Sequence, residues 1–421
     1  MSNVFQKRTI HERRVVVTGM GMVTPLGNSV FDSWQNATNG KSGIGPITTF
    51  DTSNYDVKIA GEVKNFDLDQ YVSKKEQKKM DRFVYFALAS AKMALQDSSL
   101  DITEKNAPRI GCFVGVGMGG LPMIEEQHKR LLERGPSRVT PFFIPGVITN
   151  LASGHISIQF GVKGPSYSVT SACATGAHSI GEAFNYIRYG KCEAMIAGGV
   201  ESTICPTAVS GFNAMKALST RNDNPQKASR PWDRDRDGFV MAEGGAVLVL
   251  EDYERASQRG AKIYAEITGY GASSDAYHIA SPTPNGEGAV RAMYSALSDA
   301  QINADQVGYI NAHGTSTPMG DEIESQAIKG VFGNAAKSVW VSSTKSMTGH
   351  TLGGAGSIES IFAIKALETG IVPPTLNLDN PGEGCDLDYV PGVAREKKLL
   401  HVMNNSFGFG GTNASLIFSK I

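Results

Sequence analysis

The sequence has no C-x-x-C pair, and its five cysteines (Cys112, Cys173, Cys192, Cys205 and Cys385) are odd in number. Neither a disulfide framework nor a structural zinc site is supported, and a reducing, cytoplasmic setting is expected. No H-E-x-x-H occurs, which leaves a zincin-type centre without a basis. No apolar run reaches the length of a membrane span. Residues 1–12 are polar, lack the apolar core of a secretion signal, and read as a loose arm. Neither sign of charge is in excess. A formal net charge of −1 over 421 residues gives no electrostatic case for nucleic acid or an anionic membrane.

What is present is an apolar fraction of 41%, enough for a substantial core, and 47 glycines, which imply tight turns and close backbone approaches. Strands and helices alternate. Arg13-Arg-Val-Val-Val-Thr-Gly-Met-Gly21 is a short apolar strand, a helix is predicted over 80–95, and Ile110-Gly-Cys-Phe-Val114 is a second strand. Pro165–Thr170 reads as a strand running into a helix, and Glu193-Ala-Met-Ile-Ala-Gly-Gly199 as another. The second half repeats the plan. Ala265-Glu-Ile-Thr-Gly-Tyr-Gly271 echoes Val15–Gly21, and Gly308–His313 takes the place of Gly111–Val116. Val341-Ser-Ser-Thr-Lys345 parallels Val169-Thr-Ser-Ala-Cys173, a helix again follows over about 357–367, and His401–Ser406 parallels Glu193–Gly198. Two similar α/β halves packed together are expected, joined near Tyr253–Ala265, with a parallel or mixed sheet covered on both faces.

Cys173 sits in a small-residue turn at the start of the helix that carries Ile180, Ala183, Phe184 and Ile187. Free N–H groups and the helix dipole at that position favour a thiolate and can hold an oxyanion. A buried structural cysteine is the bland alternative. Ligands in α/β sheets bind beyond the carboxyl ends of strands. Cys173, His313, Lys345 and the Asn405–Phe409 loop each follow a strand, so matching halves bring them to one site. One cysteine with two histidines, His313 and His350, suits acyl transfer: the thiolate takes an acyl group and imidazole N–H groups stabilise a negative oxygen. Two other motifs carry less. Gly115, Gly117 and Gly120 fit G-x-G-x-x-G, but the acidic residue that completes a dinucleotide site is missing. Asp233, Asp235 and Asp237 resemble a calcium loop with a misplaced closing glutamate, and an ion-paired structural loop is the better reading.

Five motifs together resemble the β-ketoacyl-[acyl-carrier-protein] synthases, closest to the synthase II type. They are Ala172-Cys-Ala-Thr-Gly176, Ser219-Thr-Arg-Asn-Asp-Asn-Pro225, Asn311-Ala-His-Gly-Thr-Ser-Thr-Pro318, Ser343-Thr-Lys-Ser-Met-Thr-Gly-His350 and Asn405-Ser-Phe-Gly-Phe-Gly-Gly-Thr-Asn413. The resemblance covers the chain from Arg13 onward. It implies a thiolase-like α/β fold: two duplicated βαβαβαββ halves in five αβαβα layers, an arm over 1–12, an N-terminal half over 13–260 with the cysteine, and a C-terminal half over 261–421 with the histidines and lysine. It implies that Cys173 is acylated from an acyl carrier protein, with the N–H groups of Cys173 and Phe409 as oxyanion hole. His313 and His350 would then stabilise the enolate left when malonyl carrier protein loses carbon dioxide, giving a 3-oxoacyl product two carbons longer. Lys345 matches the family's active-site lysine, Thr315 and Thr317 the threonines that hold the pantetheine arm, and Glu324 a supporting carboxylate. Phe409 matches the gating phenylalanine, and Met118 and Phe212 acyl-pocket positions. Asn311, Glu359 and Ser406 match a monovalent-cation site; no other cofactor is implied, because the substrates carry phosphopantetheine on the carrier protein. Ala174, Gly354 and Met118 depart from common family residues and leave chain length open.

The resemblance also implies a homodimer, a cytoplasmic location, and a basic docking patch for an acidic carrier protein, with Lys74, Lys75, Lys78, Lys79 and Arg82 or Lys129, Arg130 and Arg134 as candidates. Neither nucleic acid nor membrane is an expected partner. Synthase I or a polyketide-type ketosynthase with another acyl range is the nearest alternative. A degradative thiolase would need a second cysteine in the 404–412 loop, which has none, and a synthase III would carry asparagine in place of His350. A partner subunit without catalysis would lack Cys173. A Cys/His peptidase leaves Lys345 and His350 without a role.

Overall fold

The computed structural model describes residues 11–421. The expected arm therefore lies almost wholly outside the described residues; of its last two, Glu12 pairs with Arg188. The N-terminal half contributes β1 (Val15–Val23), α1 (Arg82–Ser98), β2 (Ile110–Val116), α2 (Thr175–Arg188), β3 (Ala194–Glu201) and β4 (Gly244–Asp252). After a short helix at Tyr253–Gln258, the C-terminal half contributes β5 (Ala265–Ser274), α3 (Glu287–Ala300), β6 (Val307–Asn311), α4 (Pro318–Phe332), β7 (Trp340–Ser342), α5 (Ala355–Thr369), β8 (His401–Gly408) and β9 (Thr412–Ser419).

The strands run in the order β2-β3-β4-β1-β5-β9-β8-β6-β7. The two halves are thus mirror readings of one another, β2-β3-β4-β1 against β6-β8-β9-β5. In each, the pair farther from the centre is parallel (β2 with β3, β6 with β8) and the next one inward is antiparallel (β3 with β4, β8 with β9). A three-residue antiparallel seam, Val15–Val17 against Ala265–Ile267, makes the half-sheets continuous. Helix α1 covers one face of the first half-sheet and α3 and α4 the far face of the second; α2 and α5 lie between the halves. Five layers result. Central α5 is buried nearly all round, including Ile358, Ile361, Phe362 and Ile364, which is the pattern of a helix with protein on every side.

Glycine is what makes the layers fit. A Cβ on Gly19 or Gly21 would stand 2.2 or 2.1 Å from carbonyl oxygens of α1. One on Gly269 or Gly271 would stand 2.2 or 2.0 Å from carbonyls of α3. The sequence echo of Thr-Gly-Met-Gly in Thr-Gly-Tyr-Gly is this packing device used twice. At the centre the contact is reciprocal. A Cβ on Gly176 of α2 would lie 2.7 Å from Ser357 N of α5, and a Cβ on Gly356 would lie 2.7 Å from Ala177 N of α2.

Two expectations are corrected. Pro165–Thr170 is extended but forms only a bridge from Ser166 to Cys112, so β2 is the last full strand on its edge. The segment bonds β2 through Cys112 N to the Pro165 carbonyl at 2.9 Å and Tyr167 N to the Cys112 carbonyl at 3.3 Å, no strand pairs beyond it among the described residues, and Tyr167 is partly exposed. The Lys345 position is also not equivalent to Cys173. The turn before α2 is Ala172–Ala174 and the turn before α5 is Leu352–Gly354, so Gly353 is the structural counterpart of Cys173. The C-terminal half instead inserts an excursion, 343–351, between β7 and that turn, and the excursion carries Lys345 and His350.

Candidate active site

The turn at Cys173 is held in a conformation that ordinary residues avoid: Ala172 has φ +49°. The Ser171 N–H donates to Thr175 Oγ1 at 2.8 Å and closes the turn onto α2. His178, one turn further along α2, contacts Ser171 Oγ through Nδ1 at 2.7 Å and the Asn413 carbonyl through Nε2 at 3.2 Å. Thr412 Oγ1 donates to the Ser171 carbonyl at 3.0 Å. These bonds tie the Cys173 turn to the 407–413 loop, so the Phe409 N–H reaches the Cys173 sulfur.

Cys173 Sγ and one ring nitrogen each of His313 and His350 lie within 4.8 Å of one another. The two imidazoles meet edge to face, with centroids 5.4 Å apart. Lys345 is 1% exposed; its Nζ donates to the His313 carbonyl at 2.6 Å, sits 3.5 Å from His313 Nδ1, and forms an ion pair with buried Glu359. An ammonium can only donate, so Nδ1 of His313 is its acceptor and the ring proton sits on Nε2. Neither ring nitrogen of buried His350 has a partner among the described residues.

Burial and the Lys345 charge hold both imidazoles well below the ordinary histidine range, and the His350–His313 proximity adds to this at His313. Both rings are therefore neutral at physiological pH. Burial pushes the Cys173 thiol up to about 11, against the Lys345 charge and the Phe409 N–H. The expected thiolate is thus corrected: desolvation outweighs the helix N-terminus, the resting group is a thiol, and His350, whose ring nitrogens have no partner among the described residues, is the neutral imidazole free to take its proton.

Glu324 of α4 binds the loop that carries His313, accepting from His313 N at 2.8 Å and Gly314 N at 2.7 Å. Asp321, one turn earlier, accepts from Ser316 N at 3.1 Å, Thr317 N at 3.4 Å and Trp232 N at 2.8 Å. Ser316 has φ +68°, and Asp321 is what holds it there. Sequence reasoning named Glu324 and missed Asp321, although two carboxylates at i and i+3 behind a Thr-Pro helix start were a readable signal. Burial lifts Glu324 to about 7 and Asp321 to about 6.

A cavity of about 390 Å³ opens on this cluster, lined among others by Cys173, Phe212, His313, Thr315, Thr317, His350, Leu352 and Phe409. Exposed Met215 and Met319 belong to its outer rim. Thr315 and Thr317 hydroxyls lie 3.1 Å apart. The Phe409 ring stands 6.5 Å from that of Phe212. Met118 does not line the cavity, and it is 41% exposed. Asn311, Glu359 and Ser406 are buried, and each keeps a side-chain polar atom without a hydrogen-bond partner among the described residues. The Asp233 loop is ion-paired to Arg230.

A strained cysteine turn and two neutral histidines on a duplicated α/β scaffold define a thiolase-like condensing enzyme. Residues 12–256 match the β-ketoacyl synthase N-terminal domain and residues 264–379 the corresponding C-terminal domain. The chain belongs to the β-ketoacyl synthase family. It is 54% identical over 412 residues to 3-oxoacyl-[acyl-carrier-protein] synthase 2 of Vibrio cholerae, covering 97% of this chain and 100% of the relative. It is 51% identical over 411 residues to the Synechocystis protein of the same name, covering 98% of this chain and 99% of that one. Among solved structures, a β-ketoacyl synthase from Burkholderia phymatum superposes with a TM-score of 0.90 at 36% identity, over 97% of this chain and 100% of that one. A type II polyketide ketosynthase, solved with its acyl-carrier protein and bound to a hexaketide, also gives 0.90, at 34% identity and the same coverage.

Proposed function

We propose that the chain is a 3-oxoacyl-[acyl-carrier-protein] synthase of the second type. The carrying observation is the Cys173–His313–His350 cluster within 4.8 Å in the wall of a cavity also lined by Thr315 and Thr317. In the first half-reaction the Cys173 sulfur attacks the acyl thioester. The carbon–sulfur bond to the carrier breaks, and the cysteine's proton leaves with the carrier thiol. The Cys173 and Phe409 N–H groups receive the oxyanion. In the second, malonyl thioester loses carbon dioxide, and the neutral Nε2–H of His313 with His350 donates to the enolate oxygen. The carbanion attacks the acyl-cysteine, the new carbon–carbon bond forms, and the thiolate is expelled and reprotonated. Lys345 supports this by fixing the His313 tautomer.

A polyketide-type ketosynthase or a synthase I differs in acyl range, not in these steps. The 51–54% identity to synthases 2, against 34% to the polyketide ketosynthase, favours the fatty-acid reading. The chain also acts on carrier-bound substrates in this reading. Lys75, Lys78 and Arg134 are the exposed candidates for docking the carrier, because Lys74, Lys79, Arg82, Lys129 and Arg130 are already paired with acids. A homodimer is supported by the extended Pro165–Thr170 segment, beyond which no strand pairs among the described residues, and by the exposed apolar side chains of Ile144, Ile148, Ile158 and Tyr167. The unpartnered atoms of Asn311, Glu359 and Ser406 suit a sodium or potassium ion held by oxygens, which would stiffen the loop before His313. No helix among the described residues is long and apolar enough to cross a membrane, in keeping with a cytoplasmic location.

Mass analysis after incubation with acyl carrier proteins of graded chain length tests the proposal. An adduct confined to the Cys173 peptide and lost in Cys173→Ala is expected, with a length profile that separates the alternatives. No adduct at any length would overturn it.

A further inference from the structure

Glu201 ends β3 fully buried, with no cationic partner among the described residues. Its Oε2 accepts from Gly117 N at 2.9 Å and Gly353 N at 3.2 Å, and Met118 N lies 3.2 Å from both oxygens. The glycines are required by this contact. A Cβ on Gly117 would lie 2.5 Å from Oε2, and one on Gly353 would lie 2.9 Å from it and 2.4 Å from Gly117 N. In dinucleotide-binding folds a glycine run of this spacing offers its N–H groups to a pyrophosphate. Here a carboxylate of the same chain accepts them.

The bond to Gly353 reaches the cavity. Gly353 is the counterpart of Cys173 in the other half, and Leu352 before it lines the cavity with φ +47°. Leu352 shares one apolar cluster with Cys173 and Phe239. A left-handed leucine holds its place only where neighbours impose it. Glu201 supplies that constraint from one side and the Thr351–Gly354 turn from the other.

We propose that Glu201 is a positioning residue for acylation: it pins the Gly117–Met118 turn to the Gly353 turn and thereby fixes Leu352 against the acyl group on Cys173. This rests on the reading of the chain as an acyl-cysteine enzyme. The charged and titratable groups facing Cys173 are His313, His350, Lys345, Glu359 and Glu201. Lys345 favours the thiolate; Glu201 and Glu359 oppose it. Burial lifts Glu201 to about 8, so it is ionised where the Cys173 thiol titrates, near 11.

The test uses the full chain with Glu201→Gln and Glu201→Asp. One readout is the pH midpoint of Cys173 alkylation by iodoacetamide, which needs no carrier protein. The other is the ratio of long to short acyl groups loaded on Cys173 from acyl carrier proteins. Glu201→Gln is expected to move the midpoint to lower pH and to change the ratio at least about fivefold. Glu201→Asp is expected to keep the midpoint, because the charge stays, and to change the ratio, because the carboxylate is withdrawn by one methylene. A folded Glu201→Gln protein with an unchanged ratio overturns the proposal whatever its midpoint does. Where Glu201→Gln does not fold, Glu201→Asp decides, and an unchanged ratio again overturns it. If the unmodified protein takes no acyl group at all, the proposed function fails instead. The alkylation midpoint then still shows whether Glu201 acts on Cys173, and no shift rules that out.

Discussion

Lys345→Met places a side chain of similar length where the site holds its ammonium ion. Lys345 and Glu359 are both almost wholly buried, with side chains 1% and 3% exposed. Removing one partner of such a pair leaves the other uncompensated, at a cost of about 3–5 kcal/mol. Glu359 can escape that cost by taking up a proton. Burial already holds it at about 7 with the lysine beside it, and losing Lys345 raises it further. The destabilisation is therefore expected to be small near pH 6 and to approach the full figure near pH 9. Glu359→Gln added to Lys345→Met removes the stranded charge and should recover most of the loss. Calorimetric melting of the three proteins at pH 6 and pH 9 gives the comparison. Activity should not recover in the double variant, because the donor to the His313 carbonyl at 2.6 Å and to Nδ1 is still gone. Loss of preorganised donation to a developing oxyanion costs on the order of 10²–10³-fold. That loss should appear in carbon dioxide release from malonyl carrier protein, and much less in loading of Cys173. Equal melting temperatures for the single and double variants at pH 9 would refute the ion-pair reasoning; equal losses in both half-reactions would refute the assignment of Lys345 to His313.

Asp321→Asn should raise KM for carrier-bound substrates several-fold through the Ser316–Thr317 turn, whereas Glu324→Gln should lower kcat through His313; steady-state kinetics showing the reverse split would contradict both assignments. Gly356→Ala should cost about 1–3 kcal/mol or abolish soluble expression, since its Cβ would lie 2.7 Å from Ala177 N, and an unchanged melting temperature would count against the reciprocal crossing. Stability should fall as pH rises from about 6.5 to 8.5. Glu201, Glu324 and Glu359 are lifted to about 8, 7 and 7, so the folded state binds more protons than the unfolded one across that window. Below it, His313 and His350, held neutral by burial, oppose the trend. A melting temperature that climbs from pH 6.5 to 8.5 would refute the carboxyl reading.

The duplication was legible because its packing device is written in residue identity: Thr-Gly-x-Gly recurs on β1 and β5, where the backbones of α1 and α3 press on the strand. Cys173, His313, His350 and Lys345 stood out because reactive side chains among Gly, Ser and Thr have no packing role. What escaped was register and distance. The 343–351 excursion made Lys345 look like the partner of Cys173, since local pattern carries no record of an insertion. Burial reversed the expected state of the thiol, and burial is a property of the assembled layers. Glu201 gave no local signal at all; its donors come from segments more than eighty and more than one hundred and fifty residues away. The glycine run set aside as a nucleotide motif does present backbone N–H groups, and their acceptor is Glu201. Met118 lies off the cavity, and nothing in the local residue pattern around it distinguished that placement from a pocket position.

Helices α2 and α5 touch backbone to backbone at Gly176 and Gly356. At that crossing only small alanine and serine side chains intervene, so the seam offers no soft layer there along which one half can slide past the other. Domain closure is thereby removed from the motions open to this chain. Traffic of long substrates in and out must be managed by peripheral segments, those at 275–286 and 407–413 that border the cavity, while the Cys173 turn stays put. Turnover in such a design is paced by loops, and it should respond to solvent viscosity and loop substitutions far more than to changes at the seam between the halves.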